Sequence, residues 1–221
     1  MTKKINHFKA IIFDLDGTLI DSMWIWKQID IDFLKKRHID FPEDLQKEIE
    51  GMSFTETAHY FKNRFKIEES IEAIQEEWHH MAVEFYASRI PLKEDVQHLM
   101  AYATANNIVM GIGTSNSKAL LETVLEAHQI ESHFKTVRTS CEVASGKPSP
   151  DIFLKVAEDL NVLPEECLVF EDTYAGVKAG KNAGMTVVAI YDEVSATSSE
   201  EIKNIADLYV TSFREFLDYI S

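Results

Sequence analysis

The chain has 221 residues, 45% of them hydrophobic, enough for one large core or for one core carrying a smaller unit. Its formal net charge of −15 argues against a nucleic-acid partner, because phosphate backbones are bound through basic patches. No apolar run approaches the ~18 residues of a membrane span, and the opening "MTKKINHFKA" lacks the apolar centre of a signal peptide, so the cytoplasm is the expected compartment.

The first element is "KAIIFDLD", an apolar strand that ends on Asp14 and Asp16. Side chains two apart on a strand face the same way, so both carboxylates can address one site. Gly17 then permits a sharp turn, within which Thr18 can hydrogen-bond. An Asx-turn or a helix cap would use the same residues. A calcium loop of the EF-hand type is excluded, since its glycine belongs at the sixth position and here it stands at the fourth.

Residues 21–91 have helical periodicity and predict an inserted unit of three or four helices, with Asp21 and Ser22 at its hinge. "SFTE" at 53–56 has capping-box spacing. In 69–89, Ile71, Ile74, Trp78, Met81 or Ala82, and Phe85 mark one apolar face of a long helix, which Pro91 stops. Trp24, Trp26 and Phe54 either face a ligand or fill the core of the insert. His79 and His80, being adjacent on a helix, diverge and do not suggest a metal site.

From Leu92 onward, helical stretches alternate with the short apolar runs "IVMGIGT", "FKTVRT", "CLVFED" and "MTVVAI", followed by "LYV" and the helix "SFREFLDYI". This alternation predicts an α/β fold, a doubly wound parallel sheet of Rossmann type, formed by residues 1–20 and 92–221. "SPDIFLKVAEDL" reads as a helix capped by Ser149 with Pro150 in its first turn. Cys141 and Cys167 form no close-spaced pair and are expected to be reduced and structural.

Ligands of open α/β sheets sit outside the carboxyl ends of the strands. Four such ends carry chemistry here: Asp14 and Asp16; Thr114, Ser115 and Asn116 before a helix; Lys147 in "SGKPSP"; and Glu171 and Asp172. Each has an ordinary reading as a cap or a solvated side chain when taken alone. Together they describe a phosphate and Mg²⁺ site, with Asp14, Asp172 and a carbonyl of the Asp16 turn as hard oxygen ligands and Lys147 balancing charge. A cation there also answers how so acidic a chain would accept an anionic ester.

The pieces "DLDGT", "GTSN", "GKPSPDIF" and "FEDTYAGVKAGKNAGM" occur in this order, and through them the sequence resembles the haloacid-dehalogenase-like hydrolases, in the branch of β-phosphoglucomutase and small-sugar phosphatases. The resemblance covers roughly residues 8–20 and 92–221, with the insert where that family has its helical cap. It implies that Asp14 is a nucleophile forming an aspartyl-phosphate and that Asp16 is the general acid and base. Thr114 and Lys147 would hold the phosphoryl group; Asp172 would bind Mg²⁺, with Glu171 a ligand or its support.

The resemblance implies a phosphatase for a small phosphate ester, a sugar or sugar-alcohol phosphate, needing no obligatory protein partner. Asp16 separates the chain from the dehalogenases, which lack the second aspartate. A phosphosugar mutase is the nearest rival. The mutase pattern has a histidine after the motif and an arginine in the cap loop, where this chain has Trp26 and Phe54. A non-catalytic binding module is the alternative from another class.

Overall fold

The structure is a computed structural model that describes residue 5 and residues 8–221; the first four residues of the expected core segment, and residues 6 and 7, lie outside the described residues. Six strands form one parallel sheet: β1 (Ala10–Phe13), β2 (Val109–Thr114), β3 (Thr136–Thr139), β4 (Cys167–Glu171), β5 (Thr186–Ile190) and β6 (Leu208–Val210). Their order is β3-β2-β1-β4-β5-β6. The chain therefore winds outward in one direction from β1 and then in the other from β4, which makes the β1–β4 boundary the topological switch point where a doubly wound sheet binds its ligand.

Strand alternation explains how both faces are covered. Ile11 and Phe13 join a core with α5 (Val96–Ala105), α6 (Lys118–His128) and α10 (Phe213–Ile220); Ala10 and Ile12 join another with α7 (Asp151–Leu160), α8 (Tyr174–Asn182) and α9 (Ser199–Ile205). Under the switch point, the Phe13 and Phe170 rings stack at 5.6 Å, and Phe216 meets Phe170 edge-on at 4.9 Å. All three rings are fully buried, at about 1.5–3 kcal/mol each, and they fix the strand ends that carry the acids.

Four helices lie between β1 and α5: α1 (Met23–Lys35), α2 (Leu45–Ile49), α3 (Phe54–Phe65) and α4 (Ile71–Ser88). The chain leaves the sheet unit and returns to it at one place, where Asp21 N donates to Pro91 O and Lys93 N to Leu19 O. Ser53 and Glu56 form the expected capping box at the start of α3. The helices' buried side chains, among them Phe33, Phe61 and Trp78, are continuous with the apolar core on the Phe13 face.

Two local expectations need correction. α7 begins at Asp151, with Pro150 in the cap position, and the Ser149 hydroxyl donates to Asp151 Oδ1 at 2.8 Å instead of capping the helix. The buried row of α4 is Ile74, Trp78, Ala82 and Tyr86, while Phe85 is only half-buried. Steps of four residues keep the row on one face, and this face points its last member at the sheet's carboxyl end.

Candidate active site

Asp14 follows the last residue of β1, and its N–H continues the sheet by donating to Phe170 O of β4 at 3.0 Å. This bond sets Asp14 beside Glu171 and Asp172 at the switch point. Carboxylate oxygens of Asp14, Glu171 and Asp172 all lie within 4.8 Å of one another, and all three residues are buried. Lys147, only 6% exposed, reaches them from the loop before α7 and donates to Asp14 Oδ1 at 2.5 Å and to Glu171 Oε1 at 2.6 Å.

One ammonium cannot neutralise three buried carboxylates. Burial pushes the Asp14 carboxyl from 3.8 up to about 7, against the opposing pull of Lys147 and with further upward pressure from Glu171. Asp172 is raised well above the ordinary carboxylate value, by burial first and then by Glu171 and Asp14. Burial would lower the Lys147 pKa, but the charges of Asp14 and Glu171 outweigh it and hold the ammonium charged.

Glu171 has little capacity left for another partner. Its Oε2 accepts from Asp172 N, Thr173 N and the Thr173 hydroxyl, while Oε1 holds Lys147. Asp172 differs: Oδ1 accepts from the Thr18 hydroxyl at 3.0 Å, whereas Oδ2 is buried with no partner among the described residues. Gly17 keeps the space before that oxygen open. It has φ +82°, and a Cβ placed there would lie 2.3 Å from Asp172 Oδ2.

Asp16 turns away from this cluster into a cage of donors. Its Oδ1 accepts from the Ser22 hydroxyl at 2.6 Å, from Trp26 Nε1 at 3.3 Å and from the Tyr86 hydroxyl; its Oδ2 accepts from Asn116 Nδ2 at 2.8 Å. Trp26 Nε1 and Asn116 Nδ2 also donate to the Tyr86 oxygen, each at 2.8 Å. Burial, followed by the charge of Asp16, raises the Tyr86 pKa well above its usual value, so the phenol keeps its proton and remains a donor.

Both aspartates open onto a cavity of about 540 Å³ between the sheet end and the inserted helices, which Thr114, Lys147, Trp26 and Phe54 also line. The lip between the two units is tied down. Phe54 N donates to Ser115 O at 2.9 Å, the Ser115 hydroxyl to Gly51 O at 3.3 Å, and Ala175 N to Glu50 Oε1 at 2.7 Å.

Residues 11–190 match the family model for the haloacid dehalogenase-like hydrolases. The chain belongs to this family. It is 28% identical over 177 residues to a phosphorylated carbohydrates phosphatase of Thermotoga maritima, covering 80% of this chain and 82% of the relative. It is 30% identical over 193 residues to the β-phosphoglucomutase of Bacillus subtilis, covering 82% and 83%. Among solved structures, CbbY from Rhodobacter sphaeroides in complex with phosphate shares the fold, with a TM-score of 0.84 at 24% identity over 96% of this chain and 99% of that one.

Within this hydrolase, the residues expected from sequence divide into two groups. Asp14, Lys147, Glu171 and Asp172 form the buried charged cluster, with Thr114 on the same cavity; the Thr114 hydroxyl oxygen accepts from Asn116 N at 3.0 Å, which leaves its O–H free to donate. Ser115 and Asn116, expected to bind phosphate with their side chains, direct them to the Gly51 carbonyl and to Asp16. The Asp16 carboxylate is not part of the metal-type cluster, so the turn could contribute only a backbone carbonyl. Trp24 lies off the cavity and packs edge-on against Phe85. Ser22, expected only as a hinge, is buried and bonded to Asp16.

Tyr86 is the residue that sequence reasoning missed. Extending the row Ile74, Trp78, Ala82 by one more turn reaches it, but nothing in the sequence indicates that a phenol 70 positions away would meet Asp16.

Proposed function

We propose that this hydrolase is a Mg²⁺-dependent phosphatase for a small phosphorylated metabolite, a sugar or sugar-alcohol phosphate, with residues 21–91 serving as the cap over residues 1–20 and 92–221. The observation that carries the reading is the buried cluster of three acids and one ammonium, with one Asp172 oxygen unpartnered. With the three acids ionised, its residual charge is equal in size and opposite in sign to that of a divalent cation, and its donors are hard oxygens of the type Mg²⁺ prefers. Asp14 and Asp172 would hold the ion, with Glu171 supporting Lys147. When bound, Mg²⁺ neutralises phosphate charge near an anionic nucleophile.

In this reading, a carboxylate oxygen of Asp14 attacks phosphorus and the ester P–O bond breaks. Asp16 gives its proton to the departing alkoxide oxygen. Water then loses a proton to Asp16 and attacks the aspartyl-phosphate, releasing phosphate and restoring both side chains. Lys147 and the Thr114 hydroxyl hold the phosphoryl oxygens. Ser22, Trp26, Tyr86 and Asn116 keep Asp16 directed at the leaving group. Three of these donors come from the segment between Asp21 and Arg89, so the seating of that unit and the aim of Asp16 depend on the same contacts.

The test is release of phosphate from p-nitrophenyl phosphate, which Asp14→Asn should abolish in a folded protein and EDTA should stop until Mg²⁺ is restored. Turnover by Asp14→Asn would refute the nucleophile. Similarity to a β-phosphoglucomutase supports one rival, a phosphosugar mutase. Incubation with β-glucose 1-phosphate and a trace of the bisphosphate separates the two: isomerisation faster than phosphate release would favour the mutase.

A further inference from the structure

Asp30 on α1 lines the cavity one helical turn beyond Trp26, the residue whose indole touches Asp16. Positions four apart share a helix face and are separated by about 6 Å along the axis. Asp30 is only 5% exposed, yet it has no ion-pair partner among the described residues, and its one hydrogen bond there comes from Gln46 Nε2 at 2.7 Å. A carboxyl buried with so little compensation is costly to the fold. Burial raises its pKa from 3.8 to about 7.

A second group on the same cavity is also incompletely satisfied. Trp78 of α4 lines it, is 2% exposed, and has a buried Nε1–H with no partner among the described residues. An edge-to-face aromatic row links Trp26, beside Asp16, to this point: Trp26 to Phe54 at 6.1 Å, then Phe54 to Trp78 at 5.6 Å. An acid that accepts, an amide that donates to it, and an indole that only donates together complement a group able to do both. A hydroxyl does both; an ammonium only donates, and an alkyl group does neither.

We propose that Asp30, Gln46 and the Trp78 indole N–H form a subsite for a hydroxyl of the leaving alcohol, set about one helical turn beyond the ester oxygen. The subsite selects phosphate esters of polyols over equally long alkyl phosphates. It rests on the phosphatase reading and specifies the substrate class for the same cavity: an alcohol of about four carbons or more with a free hydroxyl at its far end. The aromatic row would cover the carbon chain between the two polar ends.

The experiment compares kcat/KM for D-erythritol 4-phosphate and n-butyl phosphate, four-carbon esters that differ in their hydroxyls, with p-nitrophenyl phosphate as the general substrate. The wild-type enzyme should favour the erythritol ester at least about tenfold, as expected where buried polar groups are left unpaired by the wrong substrate. Asp30→Leu and Gln46→Leu should each reduce that ratio severalfold. Wild-type turnover of p-nitrophenyl phosphate without preference between the four-carbon esters would overturn the subsite and leave the phosphatase reading standing. So would an unchanged ratio in both variants. Absence of phosphate release from all three esters would instead overturn the phosphatase reading.

Discussion

Replacing Asp30 by Asn should stabilise the metal-free protein at alkaline pH and do almost nothing at acid pH. The folded Asp30 carboxyl has its pKa raised from 3.8 to about 7, by burial, against the opposing hydrogen bond from Gln46. Between these values the folded state holds a proton that the unfolded chain has released. Stability therefore falls as pH rises through the window from about 4 to about 7 and stays at its lower level above it. A shift of about three pH units at about 1.4 kcal/mol each gives a ceiling of about 4 kcal/mol. Relaxation and water entry reduce it, so the expected gain at pH 8 is about 2–4 kcal/mol. Asn has the same shape and still accepts the Gln46 amide. At about 2–4 °C per kcal/mol for a chain of this size, the midpoint should rise by roughly 4–16 °C at pH 8. Urea unfolding of both proteins with EDTA present, at pH 4 and pH 8, measures the difference; Asp14, which shifts in the same direction, is common to both and cancels. A gain of equal size at the two pH values, or a loss at pH 8, would refute the argument.

Two further substitutions probe the core and the acid. Lys147→Met removes the one cation paired with Asp14 and Glu171 among the described residues and should cost about 3–5 kcal/mol in metal-free unfolding at pH 7, because it leaves buried carboxylates uncompensated; a variant as stable as wild type would contradict the pairing. Tyr86→Phe keeps the ring and removes one donor from Asp16, so kcat should fall roughly 10- to 150-fold with KM within about twofold, since a hydrogen bond to a charged group contributes about 1.5–3 kcal/mol. A change confined to KM would place Tyr86 in substrate binding instead.

The sequence discloses the strand-end chemistry because short range decides it. Asp14 and Asp172 each close an apolar run, and parallel pairing of β1 with β4 brings the two runs together in register. The family resemblance holds for the same reason: its motifs are these strand ends, and residues 11–190 match the family model. Tertiary geometry decided the remainder. Asn116 reads as a phosphate ligand because amides before helices commonly face anions, yet its Nδ2 donates to Asp16 Oδ2 and to the Tyr86 oxygen. Ser149 looked like a cap, but its helix begins one residue later. Tyr86 and Asp30 carry no local signature, and each acquires its role from a helix packed over the sheet end. Of the adjacent acids, the sequence assigns Asp172 to the metal and leaves Glu171 as either a ligand or its support. The structure separates them: Glu171 is fully bonded, and Asp172 keeps one oxygen open.

The central claim is that a divalent cation joins Asp14 to Asp172 and lets one anion attack another. A crystal grown with Mg²⁺ and beryllium fluoride tests it in one measurement. The account predicts beryllium bound to an Asp14 oxygen, with Mg²⁺ about 2.0–2.1 Å from the other Asp14 oxygen and from Asp172. Lys147 and the Thr114 hydroxyl should donate to the fluorides. Mg²⁺ elsewhere than between those two carboxylates, or the phosphoryl mimic on any side chain but Asp14, would contradict it.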